Sequence, residues 1–199
     1  EAWYKYQSGI TLNGSDVSAW ADSSENSFNM LQATASEQPA YNSGAIEFTA
    51  ADSHNLGSAS DITLSGAFTI GIRLNPDAIN IIVIGDNTTG ENEFIKLSNS
   101  SSLRMKIDGS AADITVNDGD LLADNYLVLT RNSSDLISLY VNGTLQTDTE
   151  TLAGTANMDT IGVRAVDLNP YDGTISEIQI YDTESAALTA NVNTYLSKL

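Results

Sequence analysis

Short β-prone runs recur along most of the chain, each closed off by Gly, Asn, Asp or Ser. The runs predict strands at Trp3–Tyr6, Ala45–Phe48, Ala67–Leu74, Asn80–Ile84, Phe94–Ser98 and Leu103–Ile107. Six more follow, at Asp113–Val116, Tyr126–Arg131, Leu136–Val141, Thr144–Thr147, Thr160–Val163 and Gly173–Tyr181. Helices do not alternate with them, which argues against a parallel α/β sheet. The spacing predicts an all-β fold, an antiparallel β-sandwich or jelly roll whose two sheets bury their inner faces against each other. Residues 7–66 are polar and predict few strands; residues 1–66 are expected to wrap the sandwich as a loop-rich segment of one domain spanning 1–199.

The sharpest local pattern runs from Tyr126 to Thr149. Asn142-Gly143 separates two apolar runs, and a type I′ turn needs positive φ at both central residues, which Asn and Gly tolerate. Asn132, Ser133 and Ser134 supply the preceding turn, so the segment predicts a three-stranded meander. Alternation puts Ile137, Leu139 and Val141 on one face, the core candidate, and Tyr140 on the other. The period then changes. After the cap-type residues Asp182 and Thr183, Leu188, Val192, Tyr195, Leu196 and Leu199 recur at helical spacing. A short amphipathic helix over 183–199 is expected to lay one stripe on the sandwich, with Lys198 in its last turn.

Composition narrows the function classes. There are 26 acidic and 8 basic side chains, one His and no Cys, for a formal net charge of -18. Too few basic residues are present to replace phosphate counterions on nucleic acid or to hold an anionic membrane surface. No apolar run approaches the ~20 residues that cross a bilayer, so no membrane insertion is expected. Without Cys there is no disulfide framework, thiol catalysis or thiolate metal site. The chain begins at Glu1, which suggests processing or excision from something longer.

Three blocks carry a family resemblance. Near the N-terminus stand Trp20-Ala-Asp22-Ser23-Ser24, Gln38-Pro39-Ala-Tyr41 and Gly44-Ala-Ile46-Glu47-Phe48, then Leu64-Ser-Gly66-Ala-Phe68-Thr69-Ile70. The Leu127–Leu145 meander with Leu139-Tyr140-Val141-Asn142-Gly143 follows. Last come Tyr171-Asp-Gly173-Thr-Ile175-Ser-Glu177-Ile178-Gln-Ile180-Tyr181-Asp182 and the helix ending in Tyr195-Leu196. Together they resemble the laminin-G-like branch of the concanavalin A-like lectin/glucanase superfamily. The resemblance implies the sandwich and places Trp20 in its structural frame. It leaves function open, because this fold hosts glycosidases, lectins, adhesion modules and virion proteins.

Catalysis is the poorest match. The family's glycosidases carry Glu-x-Asp-x-x-Glu on one strand, where alternation turns the carboxylates into one cleft. Glu91-Asn92-Glu93 has carboxylates two apart but lacks a third at the right offset, and Glu177 stands alone in its strand. Asp52, Ser53 and His54 are too close in sequence to face one another as a triad and read as a surface loop. The chain therefore reads as non-catalytic.

Two binding chemistries remain. Many laminin-G-like domains hold calcium at the rim, and hard cations want six to eight oxygens. Candidate ligands are Asp86, Glu91 and Glu93 in one loop and Asp118 and Asp120 in another, with Asp167 and Asp172 a further acidic pair; turn formation is the alternative use of these residues. Sugar sites pair hydroxyl-bonding amides with a ring against the sugar's apolar face. The candidates are Tyr140, Tyr126 and Tyr171 with Asn142, with Trp3 and Trp20 the largest rings; Tyr181 and Tyr195 read as packing between last strand and helix.

The expected function is a non-catalytic binding module, extracellular or on a virion surface, recognising a glycan or another surface polymer through rim loops. The alternative is a decoration or fibre protein of a phage particle, partnered by other virion or cell-surface proteins, and a glycoside hydrolase comes third; the aromatic segment Ala2–Tyr6 is expected to complete the sandwich as an edge strand, or in the phage reading could add a strand to a neighbour.

Overall fold

The computed structural model describes residues 1–87, 93–164 and 169–199. Its first strands are β1 (Ala2–Tyr4), β2 (Ile10–Asn13), β3 (Asp16–Trp20), β4 (Met30–Leu31), β5 (Ala40–Asn42) and β6 (Ala45–Phe48). The middle holds β7 (Leu56–Leu64), β8 (Phe68–Pro76), β9 (Ile81–Gly85), β10 (Phe94–Asn99), β11 (Ser102–Ile107) and β12 (Ser110–Thr115). Then come β13 (Asn125–Arg131), β14 (Leu136–Val141), β15 (Thr144–Thr151), β16 (Ala156–Ile161), β17 (Gly173–Tyr181) and the helix α1 (Ala186–Leu196). Among the described residues every strand pairing is antiparallel.

One layer runs β1 and β6 on β17, then β8, β13, β14 and β15. The other runs β12, β11, β10, β9, β16, β7, β4, β3 and β2. The layers are laced together where β5 pairs with both β3 and β6. Alternation supplies the core between them. Phe68, Ile70, Ile72 and Leu74 of β8 and Ile137, Leu139 and Val141 of β14 face Ile95 and Leu97 of β10 and Leu103, Met105 and Ile107 of β11. The fold is thus the antiparallel jelly-roll sandwich expected.

The meander forms as its residues dictate. Asn142 and Gly143 both have positive φ, 51° and 80°, and β13, β14 and β15 pair in order. Trp20 is buried against Tyr4, its indole N–H reaching the Ser8 and Lys5 carbonyls.

Two expectations are corrected. Residues 7–66 are not a strand-poor wrap: β2, β3, β4, β5 and β7 lie there beside the predicted β6. They read as polar because they are short or have one solvent-facing side; β2 is mostly exposed, and β7 alternates weakly. The helix is capped by Ser185, not by Asp182 or Thr183: the Leu188 N–H donates to Ser185 Oγ at 3.1 Å. Lys198 lies beyond the last turn.

α1 crosses the outer face of β8 and β13. Val192 and Leu196 pack on Val128, with Tyr126, Tyr140, Tyr181 and Tyr195 around them. Gly71 of β8 makes the approach possible, since a Cβ there would sit 2.5 Å from Val192 Cγ1.

Candidate functional site

Beside the helix, β1 and β17 form the floor of an aromatic groove. A bulge between Ile175 and Glu177 shifts the phase of β17. Ile175 faces the core, and so do Ile178 and Ile180, which leaves Glu177, Gln179 and Tyr181 on the outer side. β1 adds Trp3, opposite Gln179, and α1 adds Leu188, Asn191, Val192 and Tyr195. These side chains enclose a groove of about 230 Å³. Trp3 and Tyr195 meet edge to face, with ring centroids 5.9 Å apart at 80°, and Lys5 Nζ lies 5.0 Å from the Trp3 ring centroid.

The floor is polar and rigid. Glu177 is fully buried and accepts the Trp3 indole N–H, the Tyr6 backbone N–H and, at 3.1 Å, the Gln179 side-chain amide. Tyr181 donates its hydroxyl to Gln179 Oε1 at 3.1 Å, completing a chain of bonds under the groove. Burial raises the Glu177 pKa even though these three donors favour its charged form. The carboxylate thereby fixes the Trp3 rotamer. The arrangement offers ring faces and Leu188 to the C–H face of a sugar and the exposed Asn191 amide to its hydroxyls.

The sequence-derived residues fall elsewhere. Tyr171 is not a rim ring: it is buried, edge-on to Phe48 at 5.8 Å, with its hydroxyl donated to the Thr174 carbonyl, so neither face is free. Tyr126 and Tyr140 do lie on the outer face, as alternation required, but they are half-buried against the helix cluster. Asn142 uses its amide on the turn, accepting the Tyr126 N–H at 3.0 Å and donating to Asn125 Oδ1 at 2.8 Å. His54 accepts the Thr49 N–H at Nδ1, and Asp52 lies 3.9 Å from its other nitrogen, within one loop.

The expected cation ligands also separate. Glu91 and Asp167 lie outside the described residues. Glu93 is buried and accepts the backbone N–H groups of Asp108, at 2.6 Å, and Asn157, which makes it a cross-strand tie. Asp118 and Asp120 sit in an exposed turn, where Asp120 caps the Leu122 N–H at 2.9 Å. Asp86 instead joins Asp61 of β7 and Asp159 of β16, an oxygen of each lying within 4.8 Å of the others. Three carboxylates on that scale suit a hard divalent cation. Burial raises the Asp159 pKa to about 6, helped by the charges of Asp86 and Asp61 and opposed by the Asn87 N–H at 2.7 Å. Sequence spacing could not assemble this triad, because Asp61 and Asp159 meet only through β7–β16 pairing. Trp3 and Glu177 likewise meet across 174 residues.

The family model of the concanavalin A-like lectin/glucanases superfamily matches residues 48–191. No curated protein matches the sequence. Among solved structures it is similar to domain 4 of the extracellular arabinanase AbnA of Geobacillus stearothermophilus, solved with arabinotriose (TM-score 0.64, 15% identity, 96% of this chain and 97% of that one). It is also similar to the binding domain of Paraclostridial Mosquitocidal Protein 1 (0.62, 16%, 99% and 52%) and to a heptameric SAP-like pentraxin from Limulus polyphemus (0.56, 14%, 72% and 75%). The chain thus spans about half of the mosquitocidal binding domain. These likenesses are of fold.

Proposed function

The chain belongs to the concanavalin A-like lectin/glucanase superfamily, and from that membership we propose that it is a glycan-binding module working through the groove between β1, β17 and α1. One observation carries the reading: three rings, Trp3, Tyr181 and Tyr195, line a groove of saccharide size over a fixed polar floor. Pre-set rings bind with little loss of side-chain entropy, and amide groups at the edge give hydroxyl specificity. The arabinanase domain solved with arabinotriose shares the fold and is the natural first guide to ligands.

The module binds without cleaving. A retaining glycosidase needs two carboxylates about 5–5.5 Å apart across the scissile bond. The described residues that line the groove include no carboxylate, and Glu177 beneath it has both oxygens engaged by hydrogen-bond donors. The module's place is an exterior one, where glycan is met.

A glycan array read with and without calcium tests the proposal, followed by titration of each hit. Trp20 is buried, so a ligand-induced change in tryptophan emission reports Trp3. Trp3→Ala is expected to weaken binding at least tenfold, a ring's worth of stacking. No glycan bound under either condition, or a hit untouched by Trp3→Ala and Tyr195→Ala, overturns it. Turnover of laminarin-type or agar-type polysaccharide, abolished by Glu177→Gln, overturns the non-catalytic reading.

A further inference from the structure

Basic residues are scarce in this chain, and half of them gather on one face. Lys96, Arg104, Lys106 and Arg164 are four of the eight. β10 and β11 set Phe94 opposite Lys106 and Lys96 opposite Arg104, on the outer side of the layer away from α1. Arg164, just past β16, lays its guanidinium 5.0 Å from the Phe94 ring centroid. Like charges directly across an antiparallel pair repel each other. Asp113 on β12 answers Arg104, accepting from its Nε at 2.9 Å. Among the described residues Lys96 has only a long contact, 3.4 Å from Asn169 Oδ1. Burial, then the charges of Arg164 and Arg104, lower its pKa.

Among the described residues, two polar atoms on this face are buried without a partner. One is Arg164 Nε; the other is the hydroxyl of Ser98, at the alternate position after Lys96 on β10. A buried donor left without an acceptor is costly, and a charged one more so. Repelling cations and an orphaned guanidinium N–H share one solution, an anion placed between them.

We infer that the outer face of β10 and β11 is a second binding site, taking the carboxylate or sulfate groups of an acidic polysaccharide. Arg164 and Lys96 donate to the anion, with the buried Ser98 hydroxyl beneath them, and the Arg164 stem, laid over the buried Phe94 ring, offers an apolar patch to the sugar. Arg104 is exposed at the edge of this face, and Lys96 and Lys106 are half-buried on it. Nucleic acid fits poorly. Its charge falls every ~1.7 Å of duplex axis, too dense for four cations on a chain of net charge -18. An acidic polysaccharide spaces its charges about a sugar apart. The site lies across the sandwich from the aromatic groove and stands without it.

Binding of polygalacturonate, carrageenan, neutral dextran and duplex DNA, measured in 100 mM NaCl, tests the inference. That salt screens the remaining acidic surface beyond about 10 Å. The expected result is binding of polygalacturonate, carrageenan or both, with neither dextran nor DNA comparable; the two polymers separate carboxylate from sulfate. Lys96→Gln and Arg164→Gln each weaken that binding about tenfold, while Trp3→Ala leaves it unchanged. Lys96→Gln also keeps or raises the melting temperature of the free protein, because a like-charge pair is lost; a merely structural lysine would lower it. No binding of either polyanion overturns the inference, as does binding indifferent to both variants or matched by DNA. Loss in Trp3→Ala alone would move the anion to the groove and overturn this face. Groove binding of a neutral glycan survives each of these failures, so the two sites are judged separately.

Discussion

Asp159 gives the molecule its clearest pH signature at the scale of one residue. Its folded pKa of about 6 stands above the ordinary value of 3.8, because burial and two neighbouring carboxylates resist its charge. The folded protein therefore keeps a proton that the unfolded chain has released. Stability on this account is highest below about pH 4, falls as pH rises, and reaches its floor above about pH 6. Two units amount to about 3 kcal/mol, and partial exposure screens this to about 1–2 kcal/mol. Asp159→Asn, which still accepts the Asn87 N–H, is expected to melt a few degrees higher at pH 7 and to show a much smaller advantage at pH 4.5. Thermal melts at the two values check it; an advantage independent of pH would mean that the side chain acts through packing. Arg131 is the opposite kind of residue. It is buried, stacks on Phe68 at 5.0 Å and donates to the carbonyls of Gly66, Leu64, Leu152 and Gly154. Arg131→Met would strip donors from four carbonyls, and a loss of about 3 kcal/mol or more is expected in denaturant unfolding. Neither role was visible in the sequence. Asp159 stands just before the predicted Thr160–Val163 strand, and Arg131 simply ends a predicted one.

Elements were legible wherever a local period or turn set them. The meander followed from Asn142-Gly143 and the Ile137, Leu139, Val141 alternation, and the helix stripe from Leu188, Val192 and Leu196. Before residue 66 only β1 and β6 were legible; β4 has two residues and β5 three, and a period cannot be read over so few. The groove was hidden for another reason. The bulge in β17 resets which residues face outward, and a strand read with strict alternation leaves Glu177 without a purpose. Tyr181 and Tyr195 do pack between strand and helix as their positions implied, and packing there is what builds the groove. The helix is therefore both wall and clamp. Its seat on Gly71 gives a direct test: a methyl at 71 meets Val192 Cγ1 at 2.5 Å and Leu196 Cδ1 at 3.1 Å. Gly71→Ala is expected to cost about 1–3 kcal/mol by overpacking and to weaken glycan binding through displaced Tyr195. Ser185→Ala, which removes only the cap, should cost about 1 kcal/mol and leave the groove's affinity nearly intact. Equal effects of the two on binding would mean that helix position does not set the site.

On the scale of the whole molecule the charge of -18 is neither uniform nor idle. Among the described acids only Asp86, Glu93 and Glu177 are buried; the others face water or its margin. One sandwich layer carries acidic Asp61 and Asp159 on β7 and β16 and basic Lys96, Arg104 and Lys106 on β10 and β11, so the chain's scarce positive charge is segregated. The remaining surface repels itself, and salt should relieve that. Raising NaCl from 20 to 200 mM is expected to lift the melting temperature by a few degrees, since the screening length falls below 10 Å in that range. Calcium should act on top of this, through the triad and by mass action. A cation held with a Kd of about 0.1 mM adds about 1.4 kcal/mol at 1 mM, or roughly 3–6 °C for a chain of this size. The two effects separate at fixed ionic strength. At 200 mM NaCl, 1 mM calcium should still raise the wild-type melting temperature, whereas Asp159→Asn, already relieved of its repulsion, should gain little. The variant thus melts above the wild type without calcium and draws level with it, or falls below, when calcium is present. A calcium increment of the same size in both proteins would place the cation away from Asp61, Asp86 and Asp159 and leave the triad as a site of repulsion alone.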